Sequence, residues 1–336
     1  MPSAVNDHST KAPVEFVGYD LVGDVHGCYQ TLLALLDKLG YGLVDGVYEF
    51  LDHERPRQLI FLGDLIDRGP GIREVLHLAR AMVQRGSAIV IMGNHEYHAA
   101  LYLTPDGSGG YLRRHSDHSR RIIAETLRQF SRHPKELLAF RDWMKQLPLY
   151  FQHPSFRAVH AYWDDALVDE MQHQLGSASL TPALFRQSAL EPRSFAGRLM
   201  KRLTTGLTLA LPDEHVIVGR EGQPRKRFRV RFWGGSYSLG DAAFQPDPLP
   251  ERLCNQPLAE DTRSWLDSQS YADDRRPLFI GHYWLQGAQV PQSNNIACLD
   301  YSAVLGGPLV AYRMDGESQL REDKFVAVDY CESRPS

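Results

Sequence analysis

Asp24 and His26 fall in GDVHG, Asp64 and Asp67 in GDLIDRG, Asn94, His95 and Glu96 in GNHE, His160 in VHA and His282 in GH. Each cluster closes a short apolar run: YDLVG at 19–23, QLIFLG at 58–63, AIVIMG at 88–93, FRAVHA at 156–161 and PLFIGH at 277–282. Carboxylate, imidazole and amide side chains together suit Mn²⁺, Fe or Zn²⁺, whereas Mg²⁺ and Ca²⁺ prefer shells made only of oxygen. A lone Gly-Asp after a strand is an ordinary turn, and a lone strand-terminal His is an ordinary hydrogen-bonding residue. Five such endings in order, delivered to the carboxyl edge of a sheet, form a metal-binding pattern. The glycines allow a sharp turn off the strand, so that the next carboxylate or imidazole can point into the site.

The elements that must position these groups follow the same pattern. Helix-period stretches at 29–40, 72–86 and 95–103 alternate with the first three apolar runs, which predicts βαβ units with parallel strands. Gly40 and Gly86 stand where helix C-caps are expected. PDGSGG at 105–110 is a loop, followed by Arg- and His-rich surface helices to about residue 147. Residues 165–275 are irregular and read as a cap inserted into the same domain. The core returns with strands at 277–282, 295–304 and 309–314, ending in a turn at Asp315–Gly316. Residues 1–15 read as a disordered tail, and about 330–336 as a fraying end.

GDVHG, GDLIDRG, GNHE, the strand-terminal VHA and the late GH resemble the ordered motifs of the calcineurin-like metallophosphoesterases. The DRG after GDLI, and GHYW at 281–284, are nearer the phosphoprotein phosphatase branch. That branch includes bacterial symmetrical diadenosine tetraphosphatases, to which GDLIDRGPG and LDYSAVLGGPLVAYR are also similar. The resemblance covers 17–163 and 277–314. It implies an α/β fold with a two-sheet β-sandwich core flanked by helices, formed by 16–164 and 276–330, with 165–275 as the cap. It further implies two divalent transition-metal ions, with Mn²⁺ ahead of Fe or Zn²⁺. Asp24, His26 and Asp64 would hold the first, and Asp64, Asn94, His160 and His282 the second, with Asp64 bridging. His95 would be the general acid, oriented by Asp67, and Arg68 would bind the phosphoryl oxygens with Asn94 nearby.

Two ions roughly 3.5–4 Å apart can share a water, lower its pKa and polarise a phosphoryl group for in-line attack. Arg68 offers a planar fork of donors to phosphate, and a protonated His95 beside Asp67 can release a proton to the leaving oxygen. Asp67 also admits a purely structural reading. Glu96 reads first as a helix-starting residue and second as a support for a ligand; Asp300 reads first as an ordinary strand-end Asp and second as a support for a ligand His. Tyr97, His98 and Tyr283 are pocket lining or plain aromatic packing.

RKRFRVRFW at 225–233 has strand alternation, with Arg227, Arg229 and Arg231 on one face and Phe228, Val230 and Phe232 on the other. Either this is a solvated edge strand, or it is a basic wall steering a polyanion toward the metals. Arg113, Arg114, His115, Arg120 and Arg121 read as a polar helix face. Lys201 and Arg202 are weaker candidates for substrate contact.

With 336 residues, 43% hydrophobic and 23% charged, the chain has the make-up of a globular enzyme, and a net charge of −4 argues against a dedicated nucleic-acid binder. Four scattered cysteines without a C-x-x-C pair suit a reduced cytoplasmic protein. No signal-like h-region and no run of 18 apolar residues is present, so no membrane association is expected. Cysteine-phosphatase, Walker, nucleophile-elbow and H-E-x-x-H motifs are all lacking. The expected activity is hydrolysis of a phosphomonoester, either a Ser/Thr phosphoprotein or a small molecule, by attack of metal-bound hydroxide. Symmetrical cleavage of diadenosine tetraphosphate is the alternative. A non-catalytic metal-binding scaffold is a third reading, disfavoured because every expected side chain is in place.

Overall fold

The computed structural model describes residues 15–212, 215–218, 224–235, 238–244 and 249–332. The tail expected at 1–15 therefore lies outside the described residues except for Glu15, as does the end of the chain beyond 332.

The first apolar runs become the strands Gly18–Val22, Arg57–Phe61 and Ala88–Val90, paired in parallel. Leu309–Met314 lies antiparallel to Gly18–Val22, and Phe325–Val328 lies antiparallel to Leu309–Met314 on the outside. The five strands are ordered Phe325–Val328, Leu309–Met314, Gly18–Val22, Arg57–Phe61, Ala88–Val90. A second sheet has the order Ile296–Cys298, Leu278–Ile280, Arg157–Val159, Tyr150–Gln152. Its first three strands are parallel and the last is antiparallel.

Strand alternation decides what each sheet turns inward. Leu21, Ile60 and Tyr312 from the first sheet meet Phe156, Ala158, Phe279 and Ala297 from the second in one buried cluster. The Phe279 and Tyr312 rings bridge the two sheets with centroids 5.0 Å apart. Each such side chain contributes about 1.5–3 kcal/mol by leaving water, so the sandwich holds the strand ends in fixed relative positions. On the other face of the first sheet, Val22, Leu59 and Phe61 pack with Leu32, Leu35, Val75 and Ala79 of the helices Tyr29–Leu39 and Ile72–Arg85. Both helices stop at the expected glycines, Gly40 at φ 86° and Gly86 at φ 81°.

Several local expectations change. The expected 295–304 strand ends at Cys298, because Asp300 folds the chain into a turn by accepting from the Ser302 N–H at 2.9 Å. A hairpin of Tyr41–Val44 and Val47–Phe50, turning at Asp45 and Gly46 with positive φ, and the strand Phe325–Val328 were not anticipated. Residues 330–332 do not simply fray: the Glu332 carboxylate accepts from both the backbone and the hydroxyl of Thr31.

Between Arg157–Val159 and Leu278–Ile280 the chain adds the helices Asp165–Leu175, Pro182–Leu190, Phe195–Thr205 and Glu260–Ser268. It also adds a small sheet of Thr208–Ala210, Arg227–Val230 and Ala243–Phe244. Leu199, Leu203 and Phe228 of this part share one buried cluster with Val159, Leu278 and Ile280 of the second sheet. Among the described residues, no helix is long and apolar enough to cross a membrane.

Candidate metal centre

Five parallel strands end on one edge of the sandwich, three from the first sheet and two from the second. Gly18–Val22 leads to Asp24 and His26, Arg57–Phe61 to Asp64, Asp67 and Arg68, and Ala88–Val90 to Asn94 and His95. Arg157–Val159 leads to His160 and Leu278–Ile280 to His282. Asp64 is central. Its Oδ2 lies 3.7 Å from His26 Nε2 and its Oδ1 3.5 Å from His160 Nε2. Two ligand sets result, His26–Asp64–His95 and Asp64–His160–His282, all buried and sharing Asp64. Asn94 Oδ1, 3.1 Å from His160 Nε2, joins the second set. Asp24 stands outside both sets, with both carboxylate oxygens 3.2 Å from the His282 backbone N–H.

The backbone is strained where these groups sit. His26, Asp64, Asp67, Arg68 and His282 all have φ between 44° and 70°, the left-handed region that non-glycine residues rarely adopt. The sharp turns are thus mostly taken by the polar residues themselves, not by the preceding glycines. Gly281 is required for a different reason: a Cβ there would meet Asp24 Oδ1 at 2.2 Å.

The charge pattern fits divalent cations. Burial pushes the Asp24 carboxyl well above the usual range, and the neighbouring Asp300 and Asp64 charges push it further. Asp300, read above as an ordinary strand-end residue, is therefore part of a buried carboxylate cluster. Burial also opposes ionisation of Asp64, but His160, His95 and His26 hold it well below its ordinary value. Burial and then the Arg68 charge keep His26 neutral; burial and then Arg229 do the same for His282. Neutral imidazole is the ligating form. His26 and His160 donate Nδ1–H to the carbonyls of Ile66 and Leu62, each at 2.7 Å, which leaves Nε2 as the lone-pair nitrogen toward Asp64. His282 Nε2 is buried and has no hydrogen-bond partner among the described residues. A cation held here would satisfy that nitrogen and the crowded carboxylates together.

His95 is built differently. Its Nδ1 lies 2.6 Å from Asp67 Oδ2, while Asp67 Oδ1 accepts from the Thr126 hydroxyl at 2.5 Å. Burial works against its protonation, but the charges of Asp64 and Asp67 raise it above the ordinary imidazole value. Asp64 shifts His160 upward as well, so the Asp67 contact at Nδ1 is what sets His95 apart and suits it to acid catalysis despite its nearness to Asp64. Glu96 begins a helix, as expected, and also grips Asp64. Its carboxylate accepts from the N–H groups of Asp64 at 2.8 Å, Leu65 at 2.8 Å and Gly93 at 3.0 Å. Glu96→Gln turns one acceptor into a donor facing these N–H groups. It is expected to lower unfolding stability by about 1–3 kcal/mol and to loosen metal retention, both measurable by chemical denaturation with and without chelator. Unchanged stability would remove this clamp from the account.

Residues 20–176 match the family model described as calcineurin-like phosphoesterase. Over this segment the chain is similar to that family. A bis(5'-nucleosyl)-tetraphosphatase PrpE, asymmetrical, from Halalkalibacterium halodurans is 36% identical over 143 residues, covering 42% of this chain and 54% of the relative. The Bacillus subtilis protein of the same name is 42% identical over 79 residues, 24% of this chain and 31% of its own. The chain thus spans about half or less of these relatives. A symmetrical bis(5'-nucleosyl)-tetraphosphatase from Methylobacillus flagellatus is 25% identical over 311 residues, covering 88% of this chain and 91% of that protein. The structure of a Saccharomyces cerevisiae protein serine/threonine phosphatase aligns with TM-score 0.50 at 16% identity, over 95% of this chain and 81% of its own, a likeness of fold.

Beside this centre lies a cleft of about 580 Å³ lined by His95, Arg68, Arg121, Arg128, Arg225, Arg229 and Trp284, with Glu125 as its one carboxylate among the described residues. Arg68 Nη1 is 3.2 Å from His26 Nε2, Nη2 is 3.5 Å from His95 Nε2, and the guanidinium stacks 4.5 Å over Trp284. The three arginines of the 225–233 segment separate. Arg229 enters the cleft and donates to the His282 carbonyl at 2.6 Å. Arg227 opens into a different cavity, and Arg231 lines neither. Phe228, Val230 and Phe232 are buried, so the alternation holds while the single basic wall does not. Arg121, read as part of a polar helix face, is exposed on the helix Asp117–Gln129 and also lines the cleft. Thr126 and Trp284 escaped the sequence reading; the only signal was Trp284 following GHY.

Proposed function

We propose that the chain is a metal-dependent phosphoester hydrolase, and the observation that carries this is the pair of buried ligand sets sharing Asp64. Asp24, His26 and Asp64 would hold one divalent ion, and Asp64, Asn94, His160 and His282 the other. Mn²⁺ is preferred, with Fe or Zn²⁺ as substitutes, because the donors mix nitrogen and oxygen. Bound there, the ions supply an activated water and neutralise phosphoryl charge. Arg68, held flat by Trp284, grips two phosphoryl oxygens with its fork of donors. His95, fixed through Asp67 and Thr126, gives its Nε2 proton to the leaving oxygen. The described cysteines are all unpaired, which suits a reducing cytoplasm.

Glu125 on the same wall pairs with Arg128, which leaves four arginines in the cleft, still more than a single phosphate requires. That surplus favours a substrate with several phosphates, so a dinucleoside polyphosphate moves ahead of the phosphomonoester. The names of the tetraphosphatase relatives point the same way. Arg121 and Arg225 are exposed, and their attraction is screened beyond roughly 8–10 Å at physiological salt. Arg121→Gln/Arg225→Gln is expected to raise KM for diadenosine tetraphosphate by about tenfold, with a flatter salt dependence. The effect on p-nitrophenyl phosphate should be much smaller. Metal-reconstituted enzyme assayed on both substrates and on a phosphopeptide tests this. Equal losses on all three, or turnover of the phosphopeptide alone, would return preference to the monoester.

A further inference from the structure

The inserted region holds a second basic cavity of about 520 Å³, lined by Arg193, Arg198, Lys201, Arg202, Arg227 and Trp265. It shares no lining residue with the catalytic cleft. Asp164 is the only carboxylate on its wall among the described residues. That carboxylate is already engaged, 3.2 Å from Arg202 Nε and capping the following helix at the Leu167 N–H. Arg193, Arg198, Lys201 and Arg227 are left without a carboxylate partner among the described residues. Arg227 is nevertheless fixed in place, donating to the Thr208 carbonyl at 2.7 Å and hydroxyl at 3.2 Å.

We infer that this cavity is a binding site for a nucleoside phosphate. Converging cations of like sign repel one another unless a polyanion lies between them, and guanidinium forks match phosphate oxygens. Trp265 presents an indole beside them, the kind of surface on which a base stacks. The volume falls within the range of small-molecule sites. The cavity also adjoins the catalytic machinery. Thr208 pairs in register with Arg229, two residues from Arg227 and on the same strand face, and Arg229 touches the His282 carbonyl. Gly206 on the cavity wall stands where a Cβ would come 2.9 Å from the Tyr283 hydroxyl. The nucleoside phosphate has two possible sources, the far half of a dinucleoside polyphosphate or a free nucleotide.

Metal-loaded enzyme titrated with ADP, followed by tryptophan fluorescence, tests the site without turnover, so its failure is distinguishable from failure of the proposed activity. Arg198 and Lys201 are exposed, so Arg198→Gln/Lys201→Gln should fold normally. This variant is expected to raise the ADP Kd by about tenfold or more, and Trp265→Phe to remove most of the signal change. A rise in KM for diadenosine tetraphosphate together with the rise in ADP Kd would assign the cavity to the far half of the substrate, whereas a rise in KM alone, with ADP affinity unchanged, would overturn the inference. A rise in ADP Kd with KM unchanged would assign it to a free nucleotide. If both quantities stay at wild-type values, or if only Arg121→Gln/Arg225→Gln weakens ADP, the cavity is a solvated patch and the inference falls.

Discussion

Asp64→Asn is expected to reduce bound metal from two ions per chain and to cut turnover in parallel by about 10²–10³-fold, the loss that follows when one partner is removed from a buried charge cluster. The substitution is isosteric, and an Asn oxygen can still accept the His95 N–H that Asp64 Oδ1 accepts at 3.0 Å. What disappears is the charge facing His26 Nε2 at 3.7 Å and His160 Nε2 at 3.5 Å. Because both ligand sets contain Asp64, the two sites should weaken together, whereas Asn substitutions confined to one set should not do this. Elemental analysis and initial rates on the same preparation check the result. Two ions retained with near-normal turnover would show that Asp64 bridges nothing.

The centre was legible in the sequence because its geometry is local. Each proposed ligand sits one to four residues beyond the end of its strand, and strand direction alone carries five such ends to one edge. The supporting contacts were less legible. Thr126 reaches Asp67 from a helix 59 residues away, and nothing in GDLIDRG signals that partner. Glu96 was visible as a helix start, but its hold on Asp64 depends on how two strand ends pack. Asp300 looked ordinary until burial set it beside Asp24.

The inserted region was the least legible, for a physical reason. Alternation in RKRFRVRFW gives the face of each side chain but not what lies opposite it. Arg227 and Arg229 share a face, yet Thr208 draws one toward the cavity and the His282 carbonyl draws the other into the cleft. The hairpin at 41–50 did carry a signal, Asp45-Gly46 between apolar residues, the usual two-residue turn with positive φ at both positions.

His95→Asn should lower kcat by roughly 10²–10⁴-fold, the range for a positioned acid, and by an amount that depends on the leaving group. Proton donation matters most when the departing oxygen is strongly basic. An alkyl phosphate or a nucleotide-terminated phosphate chain should therefore lose by different factors from p-nitrophenyl phosphate, whose stabilised phenolate departs without much help. The contacts suit a donor: Asp67 lies 2.6 Å from Nδ1, Thr126 fixes Asp67, and Nε2 faces Arg68 and the cleft. Asn at this position cannot carry a proton to the substrate, although it leaves Asp67 and Thr126 paired with each other. Metal content should remain at two ions per chain, which separates this variant from Asp64→Asn. If metal is lost with activity, His95 is a ligand of the His26–Asp64 set. If alkyl and p-nitrophenyl phosphates lose equally with metal retained, His95 positions the substrate and the leaving oxygen takes its proton from elsewhere.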